Sequence, residues 1–219
     1  MRTITVKGIG TVTAKPDYII LSMNIDTQEK EYSKSLDEAH IKIHQIEEAA
    51  SLCGFEAGSV KTVSFNVSTK YENVKDRFDN YKRVFAGYCC SYRLKLAFDF
   101  DSHRLAQVLS CISRSGAEPQ ISILFTVKDP ARVNEELLTS AAVNAREKAS
   151  ILCKASGVEL GELQSIDYNW GELNIFSRTT YEMDNLAMPM MALRECSAPE
   201  IEPDDIDVSD TASFVWAIS

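Results

Sequence analysis

Val84-Phe85-Ala86-Gly87-Tyr88-Cys89-Cys90-Ser91-Tyr92-Arg93-Leu94-Lys95-Leu96-Ala97-Phe98-Asp99-Phe100 is the longest alternating stretch in the chain. Val84, Ala86, Tyr88, Cys90, Tyr92, Leu94, Leu96, Phe98 and Phe100 fall on one face at period two, with Arg93, Lys95 and Asp99 on the other. A long strand with a single apolar face belongs in an antiparallel sheet, because parallel strands are covered on both faces and lose the alternation.

Working upstream, Val63, Phe65, Val67, Thr69 and Tyr71 give a further strand, separated from the first by the charged, aromatic segment Glu72 to Arg83. Before it, Leu36, Ala39, Ile43, Ile46 and Ala50 recur at helical spacing, with Ser35-x-x-Glu38 as a capping box and Gly54 as a stop. Ile19, Leu21, Met23, Ile25 and Thr27 line a strand after Pro16-Asp17, and Ile4, Val6, Gly8, Gly10 and Val12 line the one that opens the chain. Working downstream, Leu105, Val108, Leu109 and Ile112 form a short helix between an Asp101 cap and Gly116. Ile121, Ile123, Phe125 and Val127 alternate as a strand. Asp129 then caps, and Pro130 opens, the longest helix, with Leu137, Ala141, Ala145, Ala149 and Leu152 inward and Gly157 as its stop. Ile166, Tyr168 and Trp170 suggest a strand; 176–203 has no period and reads as a loop; Ile206, Val208, Ala212, Phe214, Trp216 and Ile218 close the chain as a strand. The expected fold is α+β: one domain over 1–219, a long antiparallel sheet with helices packed on one face, in the order β-β-α-β-β-α-β-α-β-β.

Composition restricts the partners. The 219 residues carry 32 acids against 23 bases, a formal charge of −9 and a sequence pI near 4.9. That balance disfavours nucleic acid and anionic membrane surfaces, both of which recruit basic patches. No apolar run approaches the roughly 20 residues of a membrane helix. The alternating start Met1-Arg2-Thr3-Ile4-Thr5-Val6 has no signal-peptide core, so a cytoplasmic location is expected if Met1 is the native start. Six cysteines (Cys53, Cys89, Cys90, Cys111, Cys153 and Cys196) form no C-x-x-C pair and read as small buried hydrophobes.

Each chemical motif weighs less than its structural reading. Gly8 and Gly10 lack the third glycine and following helix of a dinucleotide loop, and mark instead a close approach to the strand. His40 and His44 stand one helical turn apart, but Lys42 lies between them and no zincin Glu is present. Alternation points Cys89 and Cys90 to opposite faces, and Ser102-His103 beside Asp101 is a helix start. Between Glu195 and Asp210 there are seven acids and no base, yet the central Gly and final Glu of a calcium loop are missing. No catalytic, cofactor-binding or metal-ligating residue is expected.

Several phrases together resemble a known family. Val6-Lys7-Gly8-Ile9-Gly10-Thr11-Val12 with Lys15-Pro16-Asp17, Phe85-Ala86-Gly87-Tyr88, and Ala141-Ala142-Val143-Asn144-Ala145-Arg146-Glu147-Lys148-Ala149 followed by Gly157 and Gly161 are similar to the SIMPL domain, as is Ile201 to Ile206. The chain departs at Asn144 (usually an acid), Cys153 (usually Ala) and Asp205 (near a customary Gly). The resemblance implies structural roles for Gly8, Gly10, Pro16, Asp17, Gly87, Tyr88, Ala145, Arg146, Lys148, Ala149, Gly157 and Gly161, and brings no catalytic residue with it. It also implies association with partner proteins (an animal relative is named for a Pelle-like kinase), a link to oxidative-stress tolerance, and, for a periplasmic member, a ring-like oligomer.

The functional expectation is a non-enzymatic, self-assembling protein that acts through surfaces, with a thiol-dependent redox protein or other enzyme using an exposed cysteine as the alternative. The candidate assembly surface is Tyr71, Phe78 and Tyr81 at the tip of the long strands, with Met183, Met188, Met190 and Met191 in the 176–203 loop. A homo-oligomer and an unidentified protein partner are the expected partners.

Overall fold

Helix stops and starts follow the local chemistry. In the computed structural model, which describes residues 2–75, 81–168, 174–183 and 202–219, the elements are β1 (Thr3–Ala14), β2 (Tyr18–Glu29), α1 (Tyr32–Leu52), β3 (Lys61–Lys75), β4 (Tyr81–Asp99), α2 (Ser102–Arg114), β5 (Gln120–Thr126), α3 (Pro130–Ser156), β6 (Leu160–Tyr168), β7 (Tyr181–Met183) and β8 (Ile206–Ile218). The Asp101 carboxylate accepts from the His103 and Arg104 amides, and Asp129 accepts from Arg132 N with Pro130 in the first turn. Helix α3 ends on Gly157, whose φ of 68° is left-handed. Helix α1 differs from expectation. It begins three residues before Ser35, with Glu31 in the cap position and no side-chain cap. Ser35 is buried instead: Thr27 Oγ1 donates to its carbonyl (2.8 Å), and its own hydroxyl faces the Thr27 and Tyr88 carbonyls.

The architecture is α+β, built from two antiparallel sheets rather than one long one. Strand β1 pairs with β8 and not with β2, so the chain leaves the first sheet at Pro16, which has no N–H to extend a ladder. The predicted strand order holds apart from the added β7, which pairs with β5 inside the expected 176–203 loop. Residues 184–201 of that loop lie outside the described residues, as does Trp170.

Two compact units divide the chain. The first holds residues 1–17, 125–178 and 203–219, with a sheet ordered β1-β8-β6 and α3 packed on it. Val6, Ala145, Ala149, Ala212, Phe214 and Trp216 form one core cluster, and Val127, Val133, Leu137, Ile175, Ile206 and Val208 another. The inward row of α3 ends on Cys153, four residues after Ala149, and leaves Leu152 about half exposed. Ile166 of β6 is exposed too.

The second unit holds residues 18–124 and 179–202, with strands ordered β3-β4-β2-β5-β7 and with α1 and α2. Ile19, Leu21, Met23 and Ile25 of β2 and Cys90, Leu94, Leu96 and Phe98 of β4 face Ala39, Ile46, Ala49 and Ala50 of α1 across the core. Of the alternating face quoted first, Cys90, Leu94, Leu96 and Phe98 are buried, whereas Val84 is exposed. Apart from Val67, every residue of β3 is exposed, although its alternation is as regular as that of β2.

Candidate interaction surface

The exposed part of β4 has a structural cause. Strand β2 pairs with β4 from Tyr88 to Asp99 and stops there. Upstream of Tyr88, β4 has only β3 beside it among the described residues, so 70–75 and 81–87 project from the sheet as a two-stranded ribbon. At 3.3–3.4 Å per residue, the 15 residues of β3 span roughly 50 Å. The root of the ribbon is an irregularity: Lys70 pairs with Gly87 and Tyr71 with Phe85, which leaves Ala86 as an extra residue. Gly87 sits there at φ +146°, and a Cβ on it would lie 2.5 Å from the Glu29 carbonyl oxygen. Only glycine fits both demands.

An aromatic series covers the root. Tyr71 meets Phe85 edge to face (centroids 5.8 Å apart), Phe85 meets Tyr88 (5.3 Å), and Tyr88 meets Tyr32 at the start of α1 (5.7 Å). Further out, the Arg83 guanidinium lies 4.3 Å from the Tyr71 ring centre and Lys75 Nζ 5.4 Å from that of Tyr81. One ribbon face therefore carries aromatic rings with cations laid over them, and the other carries Val74 and Val84. Tyr81 remains 70% exposed. Isolated two-stranded ribbons are marginal in water; these cross-strand pairs are what hold this one.

The other predicted surface residues fall as follows. Met183 pairs with Ile121 in the β5–β7 ladder. Phe78, Met188, Met190 and Met191 lie outside the described residues. Burial pushes the Cys90 thiol up, on the inner face, while Cys89 pairs with Gln28 on the opposite side of the strand, so the two thiols point apart. His40 Nε2 lies 3.4 Å from Tyr92 Oη and His44 Nδ1 3.4 Å from Glu48. Among the described residues, no group of three or more His, Cys, Asp or Glu side chains is placed to hold a metal ion.

The motif residues of the first unit gather where α3 crosses β1. A Cβ at Gly8 would overlap the Ala141 carbonyl oxygen, and one at Gly10 that of Leu137. Ala145 and Ala149 are buried on the same helix face, and Arg146 is exposed. Lys148 does more than flank the helix, because its Nζ donates to the Lys7 carbonyl (3.3 Å). Asn144 Oδ1 accepts from Ile9 N (3.0 Å) and Ser140 Oγ from Thr11 N (3.3 Å), so a polar row on α3 occupies the edge of β1 that no strand among the described residues pairs. The i, i+4 row Ser140–Asn144–Lys148, one residue before the alanine row, was the sequence signal for this contact. Asp17, after the half-buried Pro16, accepts from Lys128 N (2.6 Å) and donates its own N–H to Thr126 O (3.0 Å). Gly161 lies on β6 with Ala217 close beside it. Part of the acidic C-terminal segment is already engaged: Asp207 accepts from Thr13 and Asp210 from Tyr168 (2.9 Å), a bond that holds the Tyr168 phenol above its ordinary range.

The class the fold defines is a two-sheet α+β chain with a glycine-bearing strand seated on an alanine-rich helix. Residues 4–216 match the model of the SIMPL family, described as "Protein of unknown function (DUF541)", and the chain belongs to that family. It is similar to the 26 kDa periplasmic immunogenic protein of Brucella melitensis, at 26% identity over 166 residues, 74% of this chain and 65% of the relative. The Brucella abortus protein of the same name is 25% identical over the same shares. The match thus spans just under two thirds of these relatives' length. A crystal structure of an uncharacterized conserved protein from Listeria innocua aligns over 97% of this chain and 92% of that one, at 8% identity and a TM-score of 0.21.

Proposed function

We propose that the protein is a non-enzymatic, self-assembling member of its family that acts through protein–protein surfaces, in the setting of stress tolerance. The observation that carries this reading is the β3–β4 ribbon: a long, exposed outer strand with Val63, Phe65, Tyr71 and Val74 open to solvent, opposite Tyr81, Val84 and Phe85. A long free edge with apolar residues is a template for pairing with another chain, and soluble proteins ordinarily cover or break such edges. The occupant we assign is a second copy. Segment 70–83 carries five bases against three acids, and 195–210 carries seven acids and no base, so a head-to-tail contact between copies is complementary.

Light scattering of the full chain at several salt concentrations tests this. An oligomer that a Tyr81→Ser, Val84→Ser variant reduces to monomer supports it; a wild-type monomer at every concentration rejects it. Cell fractionation decides between the cytosol and the compartment that names the Brucella relatives.

A further inference from the structure

Strands β3 and β6 are outer strands of the two sheets, and each has one backbone edge that no strand among the described residues pairs. The other outer strands are closed or short: the Ser140–Asn144–Lys148 row of α3 lies along β1, and β7 has 3 residues. Neither β3 nor β6 contains proline, so every residue keeps an amide for pairing. The two strands are also built alike. On β3, Phe65 stacks on Tyr92 (centroids 4.5 Å apart), which reaches His40 of α1, so Phe65 and Val67 lie on the helix side of their sheet. Lys61, opposite Lys95, and Lys70, whose Nζ donates to Gln28 Oε1 (2.8 Å), lie on the open side. On β6, Leu163 and Ile166 pair with Trp216 and Phe214, which pack on α3, while Asp167 pairs with Ser213 on the open side. Phe65, Leu163 and Ile166 are 48%, 46% and 56% exposed. Each edge thus ends its sheet with an uncovered apolar row on the helix side and charge on the other.

The charges are of opposite sign. From Lys61 to Lys70 there are two bases and no acid; from Glu159 to Tyr168 there are three acids, Glu159, Glu162 and Asp167, and no base. Like charges repel across a ladder, so each edge resists its own copy and accepts the other edge. Nine positions separate Lys61 from Lys70 and eight separate Glu159 from Asp167, so whichever way the strands run, each lysine falls beside an acid. We propose that the β3 edge of one copy pairs with the β6 edge of a second copy, joining a five-stranded and a three-stranded sheet into one. Phe65 and Val67 then continue the row of Leu163 and Ile166, and Lys61 and Lys70 meet Glu159 and Asp167 on the open side. The 9 residues of β6, about 30 Å of strand, match 61–69 and leave the ribbon beyond the joint. Because the two edges differ, the contact is head to tail, and each copy holds two others. This joint deepens the self-assembly reading and rests on it.

The test follows amide hydrogen exchange of the wild-type full chain across a dilution series, with sedimentation alongside. The expected result is that 61–69 and 160–168 become protected together as the oligomer forms. Exchanging the charges gives a second readout. Glu159→Lys with Asp167→Lys should abolish the oligomer, as should Lys61→Glu with Lys70→Glu, and all four substitutions in one chain should restore it. Protection confined to one of the two strands would overturn the joint and leave self-assembly standing. So would an oligomer that Tyr81→Ser, Val84→Ser dissolves and neither charge pair disturbs. A wild-type monomer at every concentration would overturn both. Because the exchange measurement is made on the wild-type chain, a variant that failed to fold would not obscure it.

Discussion

At the scale of single residues, the demands on the backbone are steepest at Gly8, Gly10 and Gly87. Gly10→Val sets a side chain where the Leu137 carbonyl already stands, so β1 and α3 must separate; thermal unfolding should show a loss of about 1–3 kcal/mol or more. Asn144→Ala removes the acceptor for Ile9 N and should destabilise by about 0.5–1.5 kcal/mol in urea titration, whereas Asn144→Asp, which keeps an acceptor, should retain most of it. Equal losses in the two variants would contradict the edge contact. Cys53 gives a pH dependence. Its thiol is raised from near 9 in the ordinary state to about 12 in the folded chain, so between those values the folded state holds a proton that the unfolded chain has released. Its contribution is complete below pH 9 and fades as pH climbs toward 12. The urea midpoint of the reduced protein should therefore fall over that window, and more steeply than in Cys53→Ser.

Among the elements, α3 is the sharpest case. Ala145 is fully buried against Val6, Phe214 and Trp216, so Ala145→Leu overpacks the site and should destabilise by about 1–3 kcal/mol. Lys148→Ala gives up one exposed bond to Lys7 O and should stay within about 0.5–1 kcal/mol by the same thermal measurement. The helix was legible in the sequence because cap, proline, alanine row and terminal glycine each act locally. Strands β2, β4 and β8 were legible as strands for a similar reason, since alternation states which side chains share a face. Alternation does not state whether anything covers that face. Strand β3 alternates and stays exposed, and the expectation of a buried row from Val84 to Tyr88 fails because β2 ends at Glu29. Pairing partners are equally non-local, which is why one expected sheet became two. Ser35 misled for another reason: a Ser-x-x-Glu pattern marks a cap only when the serine is outside the helix, and here Thr27 and Tyr88 hold it inside.

For the whole molecule, the ribbon decides the expected behaviour in solution. If the charged segments 70–83 and 195–210 join copies, raising the salt should dissociate the oligomer, because exposed pairs are screened within about 10 Å at 0.1 M. If the aromatic face joins them, the oligomer should resist salt and fall apart on Tyr71→Ser with Phe85→Ser. Sedimentation across a salt series separates the two modes.

The seat of α3 on β1 also fixes where the chain tolerates changes of length. Going from Thr11 to Ile9 to Lys7, the strand advances two residues per contact, about 6.7 Å, while Ser140, Asn144 and Lys148 advance four residues of helix, 6.0 Å. The two scales agree closely enough to mesh over three rungs and then drift apart, in the manner of a vernier. Gly10 over Leu137 and Gly8 over Ala141 repeat the same two-against-four step. A single residue inserted between Leu137 and Lys148 would turn every later rung by about 100° and unseat the polar and alanine rows together, even if the helix itself survived. Insertions outside 7–11 and 137–148 leave this gearing intact.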